Sequence, residues 1–172
     1  MPSCPGGYTV AVVCDGMGGV AGGSIASSVA VETYIRTLTE TVHSGHPDQA
    51  VHAAVMAANS AIRQRAAGHP ELRSMGTTLV SALVKGDRVL ISNVGDSRAY
   101  LAGAQGLRQI SRDHSLVEDM VEKGDLTPVK PAAIPAAISL PGPWDRTPPW
   151  RQTTLPFSGR RGIFCCCAPT DW

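Results

Sequence analysis

The sequence of 172 residues has almost no net charge, +1 at pH 7. Without an excess of either sign there is no electrostatic case for nucleic acid or for an anionic membrane surface. No apolar run approaches the roughly 20 residues that span a bilayer. The N-terminus, MPSCPGGYTV, has no basic stretch followed by a long apolar one, so it does not read as a signal peptide. Five cysteines are present, but their irregular spacing argues against a disulfide framework. These absences point to the cytoplasm as the expected compartment. With 43% hydrophobic and 17% charged residues, the chain is expected to be globular and long enough for one domain with a real core.

Tryptophan is missing from residues 1–128, and that absence divides the chain. All three tryptophans, eight of the 13 prolines and three of the five cysteines fall in residues 129–172. Hydrophobic periodicity also stops after Pro128. Residues 1–128 are therefore expected to form the folded domain, and residues 129–172 a tail without packed structure.

Within the first part the pattern is regular. Residues 8–15, YTVAVVCD, form a valine-rich apolar run that predicts a buried strand. The glycine-rich stretch 16–23, GMGGVAGG, predicts a tight turn. Residues 24–38 carry apolar side chains at helical spacing, Ile25, Val29, Tyr34, Ile35 and Leu38, with Ser24 as a plausible N-cap. A second, alanine-rich helix is expected over 46–67, stopped by Gly68. The period then becomes alternating: strands are expected over 76–86 and 87–103, joined by a turn at 85–87, with a short strand at 107–111. Residues 115–124 predict a short helix. A strand, two helices and then a strand meander give an α+β class rather than alternating βαβ units.

Two stretches carry chemistry. In VVCDGMGGVAGG, Asp15 ends a strand and glycines follow, which presents a carboxylate beside exposed backbone groups. Hard divalent cations such as Mg²⁺ and Mn²⁺ favour such oxygen donors. A solvated turn aspartate is the plain alternative. Gly16, Gly18 and Ala21 also satisfy the dinucleotide-binding pattern, but Asp15 would set negative charge beside a pyrophosphate, and no second strand presents a ribose-binding acid. In NVGDSRAYL, residues 93–101, Asp96 likewise sits beside a glycine at a strand end; alone, this is an ordinary hairpin turn. Cys14 reads as a core residue of the strand rather than a ligand.

Taken in order, CDGMGGVAGGSIAS, MGTTLVSALV, NVGDSRAYL and ISRDHSLVEDMVEKGDLTP closely resemble the bacterial branch of the metal-dependent type 2C protein phosphatases, the PPM family. The resemblance covers about residues 10–128. It implies a sandwich of two antiparallel sheets flanked by helices, of which this chain is expected to hold a partial αββα version, incomplete at both ends. It implies hydrolysis of phosphoserine and phosphothreonine by a water that a binuclear Mg²⁺ or Mn²⁺ centre activates. By the resemblance, Asp15 is the bridging metal ligand, Gly16 contributes its backbone carbonyl, and Asp96 matches an aspartate associated with a third, weaker metal. Asp113, His114 and Ser115 match the entry to the flap, residues 115–128. Met17 stands where other branches carry a histidine proposed as general acid, so no catalytic residue is assigned. The implied partners are a phosphoprotein substrate and, opposing the enzyme, a serine/threonine kinase.

The departures are also informative. The family's Arg-x-x-Asn-Glu-Asp segment, expected before the first motif, is not spelled among residues 1–14, and the later Asp-Gly-Leu and Asp-Asn motifs are absent. One first-shell carboxylate holds Mg²⁺ poorly. Residues 162–172, GIFCCCAPTDW, bear on this loss. Three adjacent cysteines are poorly spaced for zinc, and no basic cluster or amphipathic helix supports a lipid anchor. Read one base out of step, however, the codons for these residues can spell Gly-Asp-Leu-Leu-Leu-Leu-Cys-Thr-Asp-Gly-Leu, the missing strand and motif. The same regrouping of VKPAAIPAAISLPGPWD permits the family's flap exit. The tail is therefore expected to be out of frame, and the chain an inactive or impaired fragment. The competing expectations are a non-catalytic phosphoprotein- or kinase-binding module and, more remotely, a dinucleotide-binding domain.

Overall fold

The computed structural model describes residues 3–103, 106–112, 151–156 and 162–166. Strands β1 (Ser3–Cys4) and β2 (Tyr8–Val13) lead to a two-residue strand β3 (Gly16–Met17) and two long helices, α1 (Gly19–Thr41) and α2 (Pro47–Ala66). Strands β4 (Gly76–Thr77), β5 (Leu79–Lys85), β6 (Arg88–Val94), β7 (Arg98–Gly103) and β8 (Gly106–Gln109) follow. Two more, β9 (Arg151–Pro156) and β10 (Gly162–Cys166), come from the tail.

The strands make a five-stranded sheet, β1-β2-β5-β6-β9, a three-stranded sheet, β10-β7-β8, and the small pair β3-β4. Every ladder is antiparallel. The expected α+β class with antiparallel sheets flanked by helices is therefore present. The dinucleotide-binding alternative, which required a parallel sheet, is excluded.

Alternation along the strands separates two cores, as a pleated sheet covered on both faces demands. Val10, Leu79, Leu83, Leu90 and Val94 face the helices and form one buried cluster with them. Val80, Ala82, Val89 and Ile91 face the other way and meet Ala99 of β7, with Val13, Val84 and Ile110 packed alongside. The first cluster cements the helices to the large sheet, and the second cements the two sheets together.

The helices differ from the sequence expectation in two respects. First, α1 begins at Gly19, capped by Gly18, and not at Ser24. The glycines predicted to form a turn are the first turns of the helix, because they let it lie directly on β3. Second, its buried stripe is Ala26, Ala30, Tyr34 and Leu38, while Ile25, Val29 and Ile35 are only partly buried. Tyr34 of this stripe reaches β5, where its hydroxyl hydrogen-bonds Ser81 Oγ at 2.7 Å, and α2 contributes Ala50, Ala54 and Ala58 to the same core. In α2, Pro47 in the first turn, Asp48 beside it, and Arg63 and Arg65 in the last turn suit the helix ends and dipole.

The tail also differs. Residues 129–172 were expected to lack packed structure, yet β9 pairs with β6 from Arg88↔Pro156 to Asn93↔Arg151, and β10 pairs with β7 from Gly162↔Ala102 to Cys166↔Arg98. Backbone hydrogen bonding along a sheet edge is indifferent to side-chain identity, and RQTTLP and GIFCC contain enough β-branched and aromatic residues to fit it. The predicted helix at 115–124, the flap at 115–128, and Asp113, His114 and Ser115 lie outside the described residues.

Candidate functional site

The expected metal-facing residues stand at the ends of β2 and β6, the two strands that flank β5. Asp15 follows β2 and precedes β3, Gly16 opens β3, and Asp96 lies in the turn between β6 and β7. The Asp15 amide bonds Thr78 Oγ1, which in turn bonds the hydroxyl of Ser97, the residue after Asp96; burial pushes the Asp15 carboxyl above its ordinary value, and the Asp96 charge raises it further. Carboxylate oxygens are hard donors of the kind a divalent cation takes. Among the described residues, no group of three or more His, Cys, Asp or Glu side chains is gathered for a metal. The donor set thus suits the class of cation, with few ligands to hold it.

The backbone of Asp15 is fixed from both sides. Its carbonyl accepts from the Thr78 amide at 2.9 Å and from the Thr77 hydroxyl at 2.9 Å. Its own amide donates to Thr78 Oγ1 at 3.0 Å. Gly16 is paired with Thr77, and it packs so closely on Gly23 of α1 that neither position has room for a Cβ. This contact explains the glycines on both sides: helix backbone and strand backbone touch directly.

The second carboxylate is held in a similar way. Gly95, at φ 94, adopts a left-handed conformation, and a Cβ there would lie 2.8 Å from Thr78 Cγ2, so only glycine meets both demands. Ser97 is fully buried, and its hydroxyl hydrogen-bonds Thr78 Oγ1 at 2.6 Å. Buried Asn93 donates to the Gly95 carbonyl at 3.2 Å and to the Arg112 carbonyl at 2.7 Å. Met17 is largely exposed, and Cys14 packs against the helix-side core, as expected for a strand residue.

Thr77, Thr78 and Ser97 received no role in the sequence reading. The available signal was a pair of adjacent hydroxyls at a strand start, in MGTTLVSALV. Without the fold, nothing connects them to a turn almost twenty positions away.

Comparison with known proteins agrees with this geometry. The sequence profile described as Protein phosphatase 2C matches residues 3–118. The serine/threonine protein phosphatase PstP of Mycobacterium tuberculosis is 37% identical over 122 residues, which are 71% of this chain and 24% of that protein. The crystal structure of the M. tuberculosis phosphatase PstP/Ppp superposes with a TM-score of 0.73 at 29% identity, covering 93% of this chain and 71% of that one. The PstP catalytic domain in complex with two manganese ions superposes with a TM-score of 0.59 at 35% identity, covering 70% of this chain and 55% of that one.

The antiparallel sheets flanked by helices are those of a protein phosphatase 2C-like domain, here incomplete. The chain belongs to the protein phosphatase 2C family, and it spans about a quarter of the length of full PstP.

Proposed function

We propose that the chain carries part of the site of a Mg²⁺- or Mn²⁺-dependent serine/threonine protein phosphatase, and that by itself it hydrolyses phosphate esters weakly or not at all. The observation that carries this reading is the hydrogen-bonded link from the Asp15 amide through Thr78 Oγ1 to Ser97, the residue after Asp96. In it, Asp15 and Asp96 supply carboxylate oxygens and Gly16 its backbone carbonyl. When bound, the cations supply the water activation and charge stabilisation that phosphate-ester hydrolysis needs. The names of the relatives support the reaction class, and the manganese-bound PstP structure supports the cation class. The weak activity follows from ligand count, because two carboxylates neutralise too little charge to retain a hard dication tightly.

The proposed substrate is a phosphoserine- or phosphothreonine-bearing protein, the product of an opposing kinase, and the proposed compartment is the cytoplasm. No helix among the described residues is long and apolar enough to cross a membrane. In the same reading, residues 1–128 carry the phosphatase-like domain and residues 129–172 are translated out of frame. The nucleotide sequence decides that part: it either regroups to the Asp-Gly-Leu motif or does not.

The test of function uses the whole chain, with Mn²⁺ and p-nitrophenyl phosphate. Little hydrolysis is expected, together with weak Mn²⁺ binding that Asp15→Ala removes. Brisk hydrolysis abolished by Asp15→Ala would overturn the claim of impairment. Mn²⁺ binding unaffected by Asp15→Ala would overturn the assignment of the site.

A further inference from the structure

Thr78 lies between the two carboxylate-bearing segments and touches both. Its hydroxyl accepts from the Asp15 amide at 3.0 Å and hydrogen-bonds Ser97 Oγ at 2.6 Å. Its methyl group lies where a Cβ on Gly95 would have to go. Thr77, Thr78 and Ser97 are all buried. Two buried hydroxyls bonded to each other have no water to fall back on, so loss of either leaves the other short of a partner. The Asp15 peptide and the Gly95–Ser97 turn are therefore joined through one side chain that needs both its hydroxyl and its methyl.

We propose that Thr78 is a positioning residue that locks the Asp15 peptide to the Asp96 turn through the Thr78–Ser97 hydroxyl relay, so that the two carboxylates are held as one unit. Valine keeps the shape of threonine and loses the relay; serine keeps the relay and loses the methyl. Ser97 has no direct bond to Asp15 in this chain of contacts, so any effect of Ser97 on Asp15 passes through Thr78. The metal-facing meaning of the unit rests on the function proposed above, but the coupling itself does not.

Amide exchange at Asp15, followed by NMR in the metal-free full-length chain, tests the coupling. Exchange is expected to speed up about five-fold or more in Thr78→Val, the factor that a net hydrogen bond of about 1 kcal/mol gives. It should stay near wild type in Thr78→Ser and speed up in Ser97→Ala. Circular dichroism selects the folded variants, and if Thr78→Val does not fold, the gentler Ser97→Ala carries the test. Unchanged Asp15 exchange in Ser97→Ala would overturn the relay. A parallel Mn²⁺ titration, read by the free-ion EPR signal, separates the two proposals. If wild type binds Mn²⁺ through Asp15, loss of the relay should weaken binding about ten-fold or more, as loss of outer-shell partners does. Coupled exchange without Asp15-dependent Mn²⁺ binding would sink the metal reading and leave the relay standing.

Discussion

The contact between Gly23 and Gly16 sets the distance from α1 to the site, and it can be tested by a single methyl group. Gly23 is the fifth residue of α1. A Cβ there would lie 2.5 Å from the Gly16 carbonyl oxygen, 2.8 Å from its carbonyl carbon and 3.2 Å from the Met17 amide nitrogen. All three are backbone atoms, so no side chain can swing away; the helix or β3 must move. Overpacking of this kind costs about 1–3 kcal/mol. Against it stands the helix propensity of alanine over glycine, about 1 kcal/mol. Gly22 provides the control. It sits in the same turn, with the same propensity gain, but its Cβ would meet the side-chain carbon of Met75 at 3.3 Å, which needs a shift of only a few tenths of an ångström. The difference in unfolding free energy between Gly23→Ala and Gly22→Ala therefore isolates the backbone clash and should be about 1–3 kcal/mol. In a chain of 172 residues each kcal/mol lowers Tm by about 2–4 °C. Urea denaturation followed by circular dichroism measures the difference. Equal stability of the two variants would show that α1 does not rest on the Gly16 backbone.

Three further outcomes are expected. Folding raises the Asp15 carboxyl, so the folded state holds that proton more tightly than the unfolded chain; its ionisation weakens folding progressively as pH rises from about 4. Asp15→Asn should thus stabilise the metal-free chain at pH 7.5 more than at pH 4.5, as read by thermal melts, and a gap independent of pH would contradict the burial of that charge. Tyr34→Phe removes the partner of Ser81 Oγ, 2.7 Å away and buried, and should cost about 1–2 kcal/mol; the double variant with Ser81→Ala should cost less than the sum, and strict additivity would refute the pairing. Restoring the alternative frame after Val129 should strengthen Mn²⁺ binding by calorimetry, and binding no tighter than that of the present chain would refute the Asp-Gly-Leu aspartate as a ligand.

Much of the fold was legible because the sheet core announces itself. The alternation in LVSALVK and RVLISNV, divided by a two-residue Gly86-Asp87 turn, predicts the β5–β6 hairpin that forms with Lys85 opposite Arg88. The N-terminus of α1 was less legible, since glycine reads as a turn former wherever its need for close approach is invisible. The buried face of α1 was partly legible: Tyr34 and Leu38 are buried as the helical spacing suggests, whereas Ala26 and Ala30, which that spacing does not single out, complete the stripe. At the site, Asp15 and Asp96 were marked by their glycine neighbours. The hydroxyls that join them were not, because a serine or threonine acquires that role only when two distant segments meet. The tail strands escaped for the opposite reason, since an open edge recruits strands through backbone bonds that leave little trace in side-chain pattern.

On the proposed out-of-frame reading, the tail strands bear on where a further acid would stand. β10 runs antiparallel to β7 and ends at Cys166, opposite Arg98, which is two residues from Asp96. Its last residues therefore arrive at the end of the sheet where Asp96 stands. In the alternative frame, a run of leucines would occupy β10, where Cys165 is the register partner of buried Ala99. The Asp of the Asp-Gly-Leu motif would follow a few residues beyond, emerging from a strand already aimed at Asp96. On that reading a sheet position would survive a change of frame because backbone pairing specifies it, whereas the carboxylate would not, because only the codon specifies that. Such a chain can keep the architecture of a phosphatase domain while losing the charge that would retain its metal.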